Sequence, residues 1–186
     1  MASSLPKYKH SATREYLEVV RQHVIHPLET SGVAESCFAA ALLVFGAMDG
    51  LGRLTHPNDT ARPGERFKFF LQRMGSSYVA LEDELWNLRN SLTHNAMNVA
   101  CFMSKTDDAC GEHLELDSGF VFVHTGRLLQ DFKSAIDKLE ADLRDDPVLL
   151  QCTESRLIWD SIYPPGWRGG EVRTTPPPGI DFVREK

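Results

Sequence analysis

Apolar positions along this chain recur at helical spacing through most of its length and at strand spacing in one short stretch. Leu17, Val20 and Val24 mark a helix over 11–28, with Ser11 or Thr13 to cap it and Pro27 to end it. A second helix is predicted over about 33–55. It is apolar on most faces and carries the small residues Ala39, Ala40, Gly46 and Gly50, which places it at the centre of a bundle. Each of those glycines costs about 1 kcal/mol in helix propensity, so packing has to offset them. Turn residues from His56 to Gly64 predict a loop, and Phe67, Phe70, Leu71 and Met74 then share one face of a helix over 64–75. Over 78–98, Leu81, Leu85, Leu88, Leu92, Ala96 and Val99 fall in one sector. The period then drops to two, in Val99–Ser104 and in Leu114–Val123 around Asp117-Ser118-Gly119, which predicts a β-hairpin at about 99–123. Leu128, Leu129, Phe132, Ile136, Leu139 and Leu143 restore helical spacing over 126–143, and Pro147 opens a short helix to about 161.

The expected fold is therefore all-α: an up-and-down bundle of about five helices with a small β-hairpin insertion, spanning 11–146. A flexible N-terminus, 1–10, precedes it. Residues 147–186 form a short helix and a Pro/Gly-rich extension in which Trp167 or Phe182 could serve as anchors.

Composition narrows the class. Of 186 residues, 42% are hydrophobic and 25% charged, which argues against wholesale disorder and against a small disulfide scaffold. Cys37, Cys101, Cys110 and Cys152 form no short-spaced pair, so reduced thiols are expected rather than zinc ligands or bridges. His23 and His26 lack a third ligand, and no metal or cofactor is called for. The weakly polar run from Ser36 to Met48 is shorter than the roughly 20 residues of a membrane span, and Met1–His10 lacks a signal-peptide core. A cytoplasmic protein without a membrane segment is the expectation. The net charge of −6 excludes a bulk-basic nucleic-acid coat. Between Arg53 and Arg73, however, bases outnumber acids by three, and Arg66 and Arg73, with Lys68, form a candidate phosphate-tracking strip.

The 78–98 helix carries the chemistry. Opposite its core sector lie Val79, Asp83, Trp86, Asn90, His94 and Met97, flanked by Arg89 and Thr93. Apolar Val79, Trp86 and Met97 on the outward side predict a second buried surface, met economically by a homodimer through this face. Such a dimer brings two copies of Arg89, Asn90 and His94 into one cleft. Asn90 lies one turn before His94 and can fix the imidazole tautomer. Arg89 diverges from His94 by roughly 140° on an ideal helix, so the second chain or a kink must bring them together. An arginine fork with a histidine acid/base suits metal-free phosphodiester cleavage. Asp49, a carboxylate in an apolar helix, either pairs with an arginine such as Arg53 one turn on or faces the cleft as an auxiliary residue. Asp83 falls on the motif side and either repels a phosphodiester or pairs with Arg89.

Arg89-Asn90-Ser91-Leu92-Thr93-His94 resembles the R-x4-6-H motif of HEPN domains, including the polar residue directly after the arginine. The small-residue-rich second helix and the Arg66-Phe67-Lys68-Phe69-Phe70 segment agree with that context, over roughly 11–143. The resemblance implies a helical bundle that dimerises with its motifs facing, and a metal-independent endoribonuclease of a toxin–antitoxin or antiviral system. His94 is then the general base or acid, Arg89 stabilises charge on the phosphorane, and Asn90 orients His94 or the phosphate. The products are a 2′,3′-cyclic phosphate and a 5′-hydroxyl. The implied partners are RNA, a second copy, and an antitoxin or regulatory protein. Ala96 stands where some toxin members carry a tyrosine that an antitoxin adenylylates, which argues against silencing by that route. The alternative within the same resemblance is a non-catalytic dimerisation, interaction or nucleotide-binding module.

Overall fold

The structure, a computed structural model, describes residues 11–30, 36–95, 101–105 and 111–162. Helices dominate, with one small three-stranded sheet among the described residues. Helix α1 (Ala12–Val20) starts at Ser11, whose hydroxyl accepts the Arg14 amide at 3.1 Å. The chain does not stop at Pro27. It loosens into a π-helical segment (Arg21–Ile25) and winds on as α2 (His26–Thr30). Proline lacks an N–H, and its ring crowds the carbonyl one turn back. A wider turn just before it, in which the His26 amide donates to the Arg21 carbonyl, relieves both problems.

Helix α3 (Cys37–Thr55) is capped by Ser36 and buries Ala41, Val44, Phe45, Met48 and Leu51. By length and composition it is apolar enough to cross a membrane. Here it is the central helix, packed against α4 (Pro63–Met74), α6 (Glu82–Asn95), α7 (Thr125–Asp145) and α8 (Pro147–Ile162). The contact with α4 is close at Gly52, where any side chain would run into the backbone carbonyl of Arg66. At the far end, Arg156 of α8 donates to the Leu54 carbonyl at 2.8 Å and to the His56 carbonyl, satisfying the orphan carbonyls of α3. Its guanidinium also pairs with Asp59.

The helix expected over 78–98 is two. After Gly75, α5 (Ser76–Ala80) runs for one short stretch, Leu81 leaves helical geometry at φ −118° and ψ 26°, and α6 begins. Glu82, Asp83 and Glu84 complement the positive end of the α6 dipole. Leu81, Leu85, Leu88 and Leu92 are buried as the periodicity requires. Ala96, Met97 and Val99 lie outside the described residues.

The predicted hairpin is corrected to a three-stranded sheet in the order β1-β3-β2: β1 (Cys101–Ser104), β2 (Leu116–Asp117) and β3 (Phe120–His124). Strands β2 and β3 form a true hairpin, with Ser118 at φ 52° and Gly119 at φ 82° supplying a two-residue left-handed turn. Strand β1 instead lies parallel to β3, Cys101 opposite Val121 and Ser104 opposite His124. Period-two patterning identifies strands but carries no information about their direction. Helix α7 follows β3 directly and buries Leu128, Phe132, Ile136, Leu139 and Leu143, as expected. Asp146 caps α8 by accepting the Val148 and Leu149 amides at 2.9 and 3.0 Å, with Pro147 in the first turn. The expected flexible N-terminus and the extension beyond Ile162, with Trp167 and Phe182, lie outside the described residues.

Two glycines of α3 should respond to alanine with opposite signs. Gly52→Ala forces α3 from α4 and should cost about 1–3 kcal/mol. Gly46→Ala points into open space and should gain up to about 1 kcal/mol from helix propensity. Urea unfolding of the two variants checks both.

Candidate functional site

Helices α3, α4 and α6 meet around a single carboxylate. Asp49 sits on the side of α3 that α6 crosses, and its Oδ2 accepts from Nη2 of Arg89, 40 residues away. The two side chains are 19% and 18% exposed, so the pair is largely withdrawn from water. The expected neighbour Arg53 is not the partner the fold selects; tertiary crossing of helices, rather than spacing along α3, decides the pairing. Burial pushes the Asp49 carboxyl above the ordinary carboxylate range, while the charges of Arg89 and of Arg66, from α4, pull it down.

The rest of the Arg89 guanidinium is also held. Nη1 donates to Oδ1 of Asn90 at 3.0 Å, and the guanidinium carbon lies 5.2 Å from the centre of the Trp86 ring. Its Nε is buried and has no hydrogen-bond partner among the described residues. The Asn90 side-chain oxygen therefore serves Arg89. His94 stands exposed in the last turn of α6, on a different side from Arg89, as the wheel geometry implied.

Trp86, expected at a dimer contact, is partly buried and packs one side of its ring against its own subunit. It lies 5.6 Å from the Phe67 ring and covers Gly64, where an added Cβ would meet the indole at 3.2 Å. Val79 is exposed, and Met97 lies outside the described residues. Asp83 pairs with Lys68, which also donates to Glu82 at 3.2 Å; neither Lys68 nor Asp83 reaches Arg89. Hydrogen bonding to Asp83 raises the Lys68 pKa. Arg73 pairs with Asp142 of α7 at 3.3 Å and lies over Phe69, while Arg66 donates to the Asp59 carbonyl at 3.0 Å. The expected strip thus divides. Arg66 joins Arg89 and Asp49, whereas Lys68 and Arg73 are occupied by other carboxylates.

A second polar cluster was not read from the sequence. The His124 amide donates to Nδ1 of His113 at 3.0 Å, so Nε2 of a neutral His113 carries the proton and faces the Tyr78 hydroxyl at 2.8 Å. Tyr78 in turn donates to Oδ2 of Asp131 at 2.9 Å. Burial and the Asp131 carboxylate raise the Tyr78 pKa, so the phenol keeps its proton. This chain of bonds ties residues 111–115 to β3 and α7. Its members come from four separate segments, and no local spacing announces them. Cys37, Cys101 and Cys152 are in no disulfide among the described residues, and burial pushes the Cys101 thiol up to about 12. No group of three or more potential metal ligands occurs among the described residues.

No family model matches this chain, and neither a curated protein nor a solved structure does.

Removing Arg89 strands a shielded carboxylate. Arg89→Gln should cost about 2 kcal/mol, against less than about 0.5 kcal/mol for Lys68→Ala at the more exposed pair, measured by urea unfolding. Tyr78→Phe, which deletes the link between His113 and Asp131, should cost about 1–2 kcal/mol in the same measurement.

Proposed function

We propose that this protein is a metal-independent endoribonuclease of HEPN type that works as a homodimer. The observation that carries the reading is the arrangement of the motif on α6. Arg89 is oriented by Asp49, Asn90 and Trp86, while His94 is exposed one turn further on and open to a substrate. A fixed guanidinium suits stabilisation of a phosphorane, and an accessible imidazole suits proton transfer at a ribose hydroxyl or a departing oxygen. Because the two groups diverge within one chain, the working site combines them across two copies.

The available apolar surface fits such an arrangement. Trp86 is partly covered by its own subunit, and α3 leaves Phe38, Leu42 and Leu43 exposed, with exposed Gly46 between them and Asp49. On a helical wheel, Phe38, Leu42, Gly46 and Asp49 lie within about 80° of one another, so this stripe runs to the edge of the Arg89 site. Two copies joined along it bring their motif helices together, and Val79 is exposed as well.

RNA is the substrate, and the products carry 2′,3′-cyclic phosphate and 5′-hydroxyl ends. A role in a toxin–antitoxin or antiviral system, in the cytoplasm, with an antitoxin or regulator as partner, follows from the same resemblance. One observation favours a second reading: the shielded Asp49–Arg89 pair suits an interaction module in which the arginine is structural.

Cleavage in EDTA separates the two readings. The wild-type protein should cut RNA and leave DNA intact, and His94→Ala should cut at least about 100-fold more slowly without loss of folding or dimerisation. An inactive, well-folded dimer, or equal activity in the variant, would overturn the nuclease assignment.

A further inference from the structure

The Arg89 guanidinium is half satisfied in an informative way. Asp49 and Asn90 take one N–H from each terminal nitrogen, yet the Nε–H, on the edge that a bidentate acceptor uses, is buried with no partner among the described residues. A buried donor left without an acceptor is costly, and a phosphate oxygen bridging Nε and Nη2 would remove that cost. Charge points the same way. Asp49 lies within reach of the charge of two cations, Arg89 from α6 and Arg66 from α4. Among the described residues, Arg53 stands one turn along α3 from Asp49, and the Tyr16 hydroxyl of α1 lies against Gly50.

We infer that Asp49 is a positioning residue that acts as the resident counter-ion of Arg89 and competes with a nucleic-acid phosphate for its guanidinium. The inference rests on the proposed RNA substrate but concerns binding rather than cleavage. In the resting subunit the carboxylate holds the arginine plane fixed between Trp86 and Asn90. An incoming phosphodiester displaces it and gains Arg66 as a second cation. Asp49 therefore lowers affinity for anions while keeping the arginine oriented. The burial that raises the Asp49 carboxyl gives this exchange a direction in pH. As the pH falls from neutral towards the carboxylate range, Asp49 takes up a proton, its hold on Arg89 weakens, and phosphate binding strengthens.

The test uses a fluorescent 2′-O-methyl RNA oligonucleotide, which presents the phosphates but lacks the hydroxyl needed for cleavage. Asp49→Asn, shown by unfolding to be folded, should bind it about tenfold more tightly than wild type, with a steeper dependence on salt. The gain should vanish in Asp49→Asn combined with Arg89→Gln. If Asp49→Asn does not fold, wild type alone serves. Its binding should tighten on acidification by more than that of Arg89→Gln. Unchanged or weaker binding by folded Asp49→Asn, a gain that survives removal of Arg89, equal pH responses, or no binding by any form would overturn the inference. If wild type cleaves RNA through His94 but Asp49→Asn binds no better, the counter-ion role falls and the nuclease stands. Tighter binding without any cleavage leaves the reverse.

Discussion

A carboxylate on an otherwise apolar central helix has to find a cation, and the geometry of the candidate site follows from how Asp49 does so. The nearest arginine in sequence, Arg53, lies on the same helix, yet the pair forms with Arg89 across the α3–α6 crossing. Once Arg89 is fixed there, Trp86, three residues earlier, falls over Gly64 and Phe67 of α4. Gly52, one turn along α3 from Asp49, lets α4 approach closely enough for that packing. The ion pair is thus one part of a three-helix contact in which small residues on α3 and α4 make room and the aromatic of α6 fills it. Unpaired, either ion would carry a desolvation cost of several kcal/mol, which is why the crossing has little freedom to slide.

Much of this fold is legible in apolar spacing alone. Leu81, Leu85, Leu88 and Leu92, and the set from Leu128 to Leu143, are buried where a helical period puts them, because burying one face is the main force on an amphipathic helix. What spacing does not encode is continuity and direction. Leu81 keeps its buried side chain while its backbone leaves the helix, so the pattern reads straight through a break; the three acids that follow were the usable sign of a new helix start. Pro27 was a reasonable terminator, but a π turn accommodates it. Strand β1 shows the same limit, since its alternation fits a parallel or an antiparallel neighbour equally well.

The site was legible in part for a related reason. Arg89, Asn90 and His94 lie on one helix, so their angular relation follows from the helical repeat. Their partners do not. Asn90 turns to Arg89 because a cation is within reach of its carbonyl oxygen, and Asp83 turns to Lys68 because α4 and the start of α6 run side by side. The Tyr78–His113–Asp131 chain joins segments far apart in sequence, and nothing local distinguishes its members from surface polar residues.

Electrostatics connects these observations to the RNA substrate proposed above. A chain with net charge −6 can take up an anion only where cations outnumber local carboxylates. Several of its basic side chains are matched closely: Arg21 with Asp137 and Glu140, Lys133 with Glu29, Arg73 with Asp142, and Lys68 with two acids. Asp49 differs in facing two arginines at once. The Asp49–Arg89 pair is largely withdrawn from water, in surroundings where an effective dielectric below that of water makes each charge count for more than on the open surface. The same burial disfavours leaving the Arg89 guanidinium unpaired, so on the inference drawn above Asp49 would yield its place only to another anion or to a proton. A surface strip of lysines would attract nucleic acid more strongly at long range, but it would hold no guanidinium plane in a fixed orientation. For the phosphodiester cleavage proposed above, whose transition state places charge on non-bridging phosphate oxygens, orientation is what the α3–α6 crossing would supply.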